Sequence, residues 1–189
     1  NSTIVDQTQN GVHEKNADVH ANKGAFSQAI KEIDIAIKED GENAVLYYKK
    51  GTFHLSLNEL DKSVLALETA ISIDNKMIDA YINLANSKGK QSKFREVISI
   101  LNEAEKLTNS NAKIYFNRGY AKALVNEVNG AIFDFSKAIS LNPDYGQAYL
   151  LRGRAYMVNG NRNNACSDFN LATQLNVQGA REMWQQACK

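Results

Sequence analysis

The sequence has one proline in 189 residues. Proline breaks helix interiors, so its near absence, with plentiful Ala, Leu, Ile and Lys, favours helix throughout. No apolar run comes near the roughly 18 residues that a bilayer-spanning helix needs, so no direct membrane insertion is expected of this segment. Neither sign of charge is in excess. Lys and Arg number 22 against 21 Asp and Glu, a balance that gives a polyanion no footprint and leaves nucleic acid out of the expected partners. The first residue is Asn1 rather than Met and no signal-peptide pattern follows it, so a cut or mature product is expected. The opening NSTIVDQTQN is polar and aperiodic, and residues 1–9 read as a flexible N-terminal tail or linker.

What the sequence does contain is repetition. YFNRGYA, from Tyr115 to Ala121, and YLLRGRA, from Tyr149 to Ala155, share Tyr, Arg, Gly and Ala at identical offsets 34 residues apart. At that period the chain aligns five times without a gap, as 10–43, 44–77, 78–111, 112–145 and 146–179. Position 4 of the unit reads His13, Tyr47, Tyr81, Tyr115, Tyr149, and position 8 reads Ala17, Gly51, Ala85, Gly119, Gly153. Position 20 is Ala29, Ser63, Val97, Ala131, Ala165, nearly all small. Position 24 is Ile33, Leu67, Leu101, Phe135, Phe169, and position 27 is alanine in every unit.

The spacing inside a unit predicts two helices. Ala131, Phe135, Ala138 and Ile139 form one apolar helical stripe. Residues 126–130, rich in Asn and Gly, make the turn before it. Pro143 ends the second helix, because the residue before a proline is pushed out of the α region. Small residues at positions 8, 20 and 27 let the two backbones approach closely beneath larger neighbours. The first unit, with His13 in the aromatic column, and the third, with Gly89 near the end of its first helix, are expected to be the least regular.

These columns resemble the tetratricopeptide repeat (TPR) family, whose signature is an aromatic at 4, Gly at 8, Ala at 20, an aromatic at 24, Ala at 27 and Pro at 32. The resemblance covers residues 10–179 and is clearest in the last two units. It departs at position 32, where Gly41, Asn75, Asn109 and Val177 accompany a single Pro143. It implies an all-α, right-handed α-solenoid, a superhelix of helix-turn-helix units, forming one domain over 10–189. Ala180, Met183, Trp184 and Ala187 share a helical face, so residues 180–189 read as a capping helix over the last repeat.

By the same resemblance, positions 2, 5, 9, 12 and 13 line a concave face made by the first helix of each unit. Tyr48, Ile82, Phe116, Tyr120 and Leu150 would then form an exposed apolar stripe, which usually marks an interaction surface. Thr52, Asn83, Asn86, Lys113, Asn117 and Arg154 flank it, a set suited to a peptide or partner helix. Packing of some of these residues inside the superhelix or under the tail is the other reading. The family's co-chaperones hold a C-terminal carboxylate with a clamp of Lys and Asn residues. Tyr48, Thr52, Asn83, Lys113 and Asn117 occupy the clamp positions here, and only Asn83 and Lys113 match, so that clamp is not expected.

Nothing in the sequence forms a catalytic motif. There is no Gly-rich phosphate loop, no nucleophile elbow and no HExxH. His13, His20 and His54 have no Glu, Asp or Cys recurring around them at zinc spacing, and read as core or interface residues. Acidic residues fall within reach of Lys on solvated helix faces. No enzyme activity, catalytic residue, metal or cofactor is expected.

Cys166 lies on the last repeat and Cys188 near the end of the capping helix. The segment ACSDFNLATQLNVQGAREMWQQAC looks like the C-terminal ends of small envelope-associated TPR proteins of Gram-negative bacteria, which often carry such a pair. That likeness implies a disulfide and an exported, periplasmic or envelope-anchored protein. Two buried thiols in a cytoplasmic protein are the alternative. The function expected from all this is a non-enzymatic interaction or scaffold module with a protein or peptide partner in its groove. A self-assembling structural protein, a homo-oligomer joined through its array ends near Met183 and Trp184, is the alternative.

Overall fold

The computed structural model describes residues 11–189, so the tail expected at 1–9 lies outside the described residues. All regular structure among them is helical. One compact unit ends at Gln91 and a second runs Ser92–Lys189. The first holds α1 (Val12–Asn22), α2 (Phe26–Asp40), α3 (Ala44–Ser56), α4 (Leu60–Ile73) and α5 (Ile78–Lys90). The second holds α6 (Phe94–Leu107), α7 (Ala112–Leu124), α8 (Val128–Leu141), α9 (Gly146–Val158), α10 (Arg162–Gln174) and α11 (Ala180–Cys188). Within each unit every helix packs on the one before it, which is the arrangement of an all-α solenoid of helix hairpins.

The 34-residue period is a backbone period. Helices α3, α5, α7 and α9 each begin at position 1 of their repeat and end at position 13. The turn that follows places Gly24, Asn58, Ser92, Asn126 and Gly160 at position 15, all with φ between 58° and 76°. Glycine carries no penalty in that left-handed region and asparagine little. The same turn closes by one set of bonds. The Glu59 N–H donates to the His54 carbonyl at 2.9 Å, Glu127 to Lys122 at 2.8 Å and Asn161 to Tyr156 at 2.8 Å. These are six-to-one Schellman closures, which satisfy carbonyls that a helix end otherwise leaves open. In the sequence, residues 126–130 mark one of these turns by their Asn and Gly.

In the third repeat each helix, taken by itself, keeps the common register. Helix α5 runs through Gly89 to Lys90 and α6 begins at the same repeat position as α4 and α8. Gly89 sits one turn before the left-handed Ser92, where the Gln91 N–H donates to the Ser87 carbonyl at 3.2 Å. The first repeat does depart, since α1 begins at Val12, two positions later than its counterparts. Prolines prove unnecessary at the second helix end. Asn142, before Pro143, is extended at φ −141°, and Asp74 and Thr108 are extended at φ −129° and −159° with no proline following. The last repeat differs, because Asn176 and Gly179 both adopt positive φ and lead into α11.

The repeat columns form the core. Every residue at positions 20, 24 and 27 is buried. Large side chains lie over small ones, as expected. A Cβ added at Gly119 would lie 3.0 Å from two ring carbons of Phe135, and one at Gly153 only 2.6 Å from the ring of Phe169. Ser63, at a position otherwise held by Ala or Val, is satisfied by the Gly51 carbonyl at 2.8 Å and the Ser87 hydroxyl at 2.8 Å.

Candidate interaction surfaces

In the first unit the proposed face residues largely satisfy one another. Asn83 on α5 donates to the Thr52 hydroxyl at 3.1 Å, and Thr52 donates to the Tyr48 carbonyl on its own helix at 2.9 Å. Tyr48, Thr52 and Asn83 are half-buried and Asn86 is exposed. Ile82 is 5% exposed and offers no surface. Lys49 on α3 sits against Glu14 at 2.7 Å and Asp18 at 2.8 Å. Burial works against its charge, but the bonds to Asp18 and Glu14 outweigh it and raise its pKa. The Lys49 charge is therefore already matched.

The second unit is different. Lys113, Tyr120 and Arg154 are exposed, and Phe116 and Asn117 are half-buried. The Phe116 ring stacks on Tyr145 at 4.5 Å between centroids and lies 6.0 Å from Phe135. Leu150 is 4% exposed, held in a cluster with Ala165, Phe169, Ala172 and Ala180. The continuous exposed stripe expected from Tyr48, Ile82, Phe116, Tyr120 and Leu150 is therefore corrected. Ile82 and Leu150 are buried, Leu150 beneath side chains of α10 and α11, and Phe116 gives one face of its ring to Tyr145.

The apolar surface of this unit lies further along the same helices. Tyr120, Leu124 and Val158 are 48%, 47% and 71% exposed. With Leu151 and Arg154 they line a cleft of about 300 Å³ between the C-terminal halves of α7 and α9, floored by Phe135 and Ala155. Leu124, Leu151 and Val158 were absent from the sequence-derived set. The signal was there at position 13, which reads Asn22, Ser56, Lys90, Leu124, Val158 and turns apolar only in the last two repeats.

Two arginines bound to buried aspartates hold α7 and α9 in place beside this cleft. Arg118 donates to both carboxylate oxygens of Asp134, at 2.9 and 2.7 Å, and through Nη1 to Asn102 at 2.8 Å and to Glu105. Lys122 adds a third cationic contact to Asp134 at 2.8 Å. One repeat later Arg152 donates to both oxygens of Asp168, at 2.8 and 2.8 Å, and to the Ser136 hydroxyl at 3.0 Å. Burial opposes the charge on Arg118, but its bonds to Asp134 and Glu105 prevail and push its pKa further up. The shared Arg of YFNRGYA and YLLRGRA is thus a clamp linking three helices. In the first repeat His13 does a related job, with Nδ1 2.6 Å from Glu32 on α2. His54 is buried, with Nδ1 2.6 Å from Glu59. Among the described residues no cluster of His, Cys, Asp and Glu could hold a metal ion. No helix among them is long and apolar enough to cross a membrane.

Cys166 on α10 and Cys188 on α11 are joined, with Sγ atoms 2.01 Å and Cα atoms 5.6 Å apart. Arg162 adds a bond from Nε to the Ala187 carbonyl at 2.6 Å. Met183, Trp184 and Ala187 pack against the cluster around Phe169. Helix α11 therefore covers the last hairpin with its apolar face.

The chain is similar to several solved structures. MamA is 25% identical over 87% of this chain and 96% of its own, with a TM-score of 0.80. MamA of Desulfovibrio magneticus RS-1 is 13% identical over 87% and 93%, with a TM-score of 0.81. YrrB, described as a TPR protein with an unusual peptide-binding site, is 18% identical over 93% and 89%, with a TM-score of 0.76. No curated protein sequence matches. The tetratricopeptide repeat model matches residues 44–77, 112–145 and 146–176, just over half of the chain, and with the helix register and buried columns described above it follows that the chain belongs to the tetratricopeptide repeat family.

Proposed function

We propose that this protein is a non-enzymatic interaction module that captures a peptide segment of a partner on the α7/α9 face of the Ser92–Lys189 unit. The observation that carries the reading is the cleft of about 300 Å³ there, where Tyr120, Leu124 and Val158 remain exposed beside Arg154. Apolar and aromatic groups open to solvent on a rigid helical frame mark a docking surface. The frame is rigid because Arg118 and Arg152 tie α7 and α9 to buried carboxylates. The fold is compatible with the reading, since YrrB, of the same fold, carries a peptide-binding site. A family fold names no ligand by itself; the exposed residues of the cleft do the selecting. The Cys166–Cys188 bond suits an oxidising compartment outside the cytoplasm.

The test is affinity capture with the wild-type chain and a Tyr120→Glu/Leu124→Glu variant of unchanged helicity. A protein held by the first and released by the second supports the cleft as the working surface. Equal capture by both moves the surface elsewhere on the molecule. Concentration-dependent association of the chain itself, abolished by substitution of Trp184 but not of Tyr120, favours assembly through the α11 end instead.

A further inference from the structure

Helices α7 and α9 carry five basic residues and no acidic one. Three of the five are occupied. Arg118 and Lys122 hold Asp134, and Arg152 holds Asp168. Lys113 and Arg154 enter no ion pair among the described residues, and both are exposed. Positions four, seven and eleven apart share a helix face. That spacing puts Lys113, Tyr120 and Leu124 in one row on α7, and Arg154 and Val158 in the facing row on α9. The slot therefore grades from cationic to apolar along its length. From Lys113 to Leu124 is about 16 Å at 1.5 Å per residue. An extended segment of about five residues covers that distance.

We infer that the cleft takes an acidic peptide segment, with an apolar side chain seated between Leu124 and Val158 and carboxylates within about five residues of it on Arg154 and Lys113. This rests on the reading of the cleft as a peptide site and adds the chemistry of its ligand. Guanidinium binds carboxylate in a planar fork, and a neighbouring apolar wall strengthens the bond by excluding water. A second copy of this chain is the poorer occupant. The Ser92–Lys189 unit has twelve basic and eight acidic residues, and face-to-face pairing would set Arg154 and Lys113 against their own kind. The first unit offers no equivalent, since its Lys49 already lies between Glu14 and Asp18.

The experiment selects random twelve-residue peptides displayed on phage against the whole chain. The enriched sequences are then made as fluorescent peptides and titrated by anisotropy against wild type, Arg154→Glu and Val158→Asp, with circular dichroism to confirm that both variants keep their helicity. The expected winners pair Phe, Leu or Met with Asp or Glu within five residues. They bind Arg154→Glu about tenfold or more weakly, lose binding when their acids are exchanged for Lys, and weaken as salt rises from about 50 to 300 mM. Winners that Val158→Asp abolishes but that lack acidic bias and ignore Arg154→Glu overturn this inference and leave the peptide site standing. No winners, or winners indifferent to Val158→Asp, overturn both. Oligomers of the chain that Val158→Asp dissolves make the cleft a self-interface and overturn the inference as well.

Discussion

Arg118 and Asp134 meet through two parallel bonds, Nε to Oδ2 at 2.9 Å and Nη2 to Oδ1 at 2.7 Å, and both residues are buried. The pair recurs one repeat later as Arg152 and Asp168. A buried pair adds little net stability over an apolar one, yet breaking it leaves a charge stranded.

Asp134→Ala should therefore destabilise the fold by about 3–5 kcal/mol, since Arg118 loses its main partner and Lys122 loses its contact at 2.8 Å. Asp168→Ala should be milder. The Arg152 side chain is 18% exposed against 5% for Arg118, so water reaches the orphaned charge more easily. Urea unfolding of the two variants measures this, and a larger loss for Asp168→Ala would contradict the account.

Gly119→Leu should cost roughly 1–3 kcal/mol by overpacking. The Cβ alone would press on the Phe135 ring at 3.0 Å, and the rest of the side chain has nowhere to go between α7 and α8. Thermal unfolding of Gly119→Ala and Gly119→Leu should show graded losses. Equal stability of all three chains would mean that the hairpin is not closed by this contact.

Ser92 is the only member of the left-handed turn column that is neither Gly nor Asn, at φ 60°. An L residue is penalised there, and glycine is not. Ser92→Gly should raise stability by about 0.5–1 kcal/mol, net of the added freedom of glycine in the unfolded chain. An increase in urea midpoint with unchanged slope is the expected result.

Acid should loosen the second unit through Glu105. Its hydrogen bond from Arg118 holds the carboxyl below its ordinary value of 4.5. A carboxyl depressed on folding contributes stability that is whole above its unfolded pKa and is lost as pH falls through the lower folded one. The loss should begin below about pH 4.5 and be shallower in Glu105→Gln. Denaturant midpoints measured from pH 3 to 7 for both chains test it, and parallel curves would remove Glu105 as a cause.

The unreduced protein, denatured and titrated with a thiol reagent, should show no free thiol, because Cys166 and Cys188 are joined. The bond closes a loop with a sequence separation of 22, which the chain-entropy model values at about 3 kcal/mol. Cys166→Ala/Cys188→Ala should lose protection from hydrogen exchange in α11 first. Two titrating thiols in the native product would sink both the bond and the argument for an oxidising compartment.

Much of this was legible in the residues. The columns at positions 20, 24 and 27 report burial directly, since only small or apolar side chains fit there, and they are buried in every repeat. The surface was harder to read. Position 5 looks exposed from its family role, yet Ile82 and Leu150 are covered by neighbours. Exposure depends on how far an adjacent helix leans over a residue, which a column of letters does not encode. The Arg column was visible as a repeated letter, but its partner Asp lies sixteen positions on. Only the pairing of the two helices explains why both are charged. Gly89 does not shorten its helix, since α5 runs on to Lys90.

The left-handed residue at position 15 has a further consequence. Five turns place that residue at the same count, 24, 58, 92, 126 and 160, while the letters there vary among Gly, Asn and Ser. Side chains between two such joints are free to diverge as long as their bulk and polarity suit the column. The number of residues is not, because one added or removed within a helix rotates all that follows by about 100° and turns buried faces outward. Inheritance in this chain is therefore strictest in length, and two repeats can lose nearly every shared letter and still be the same part.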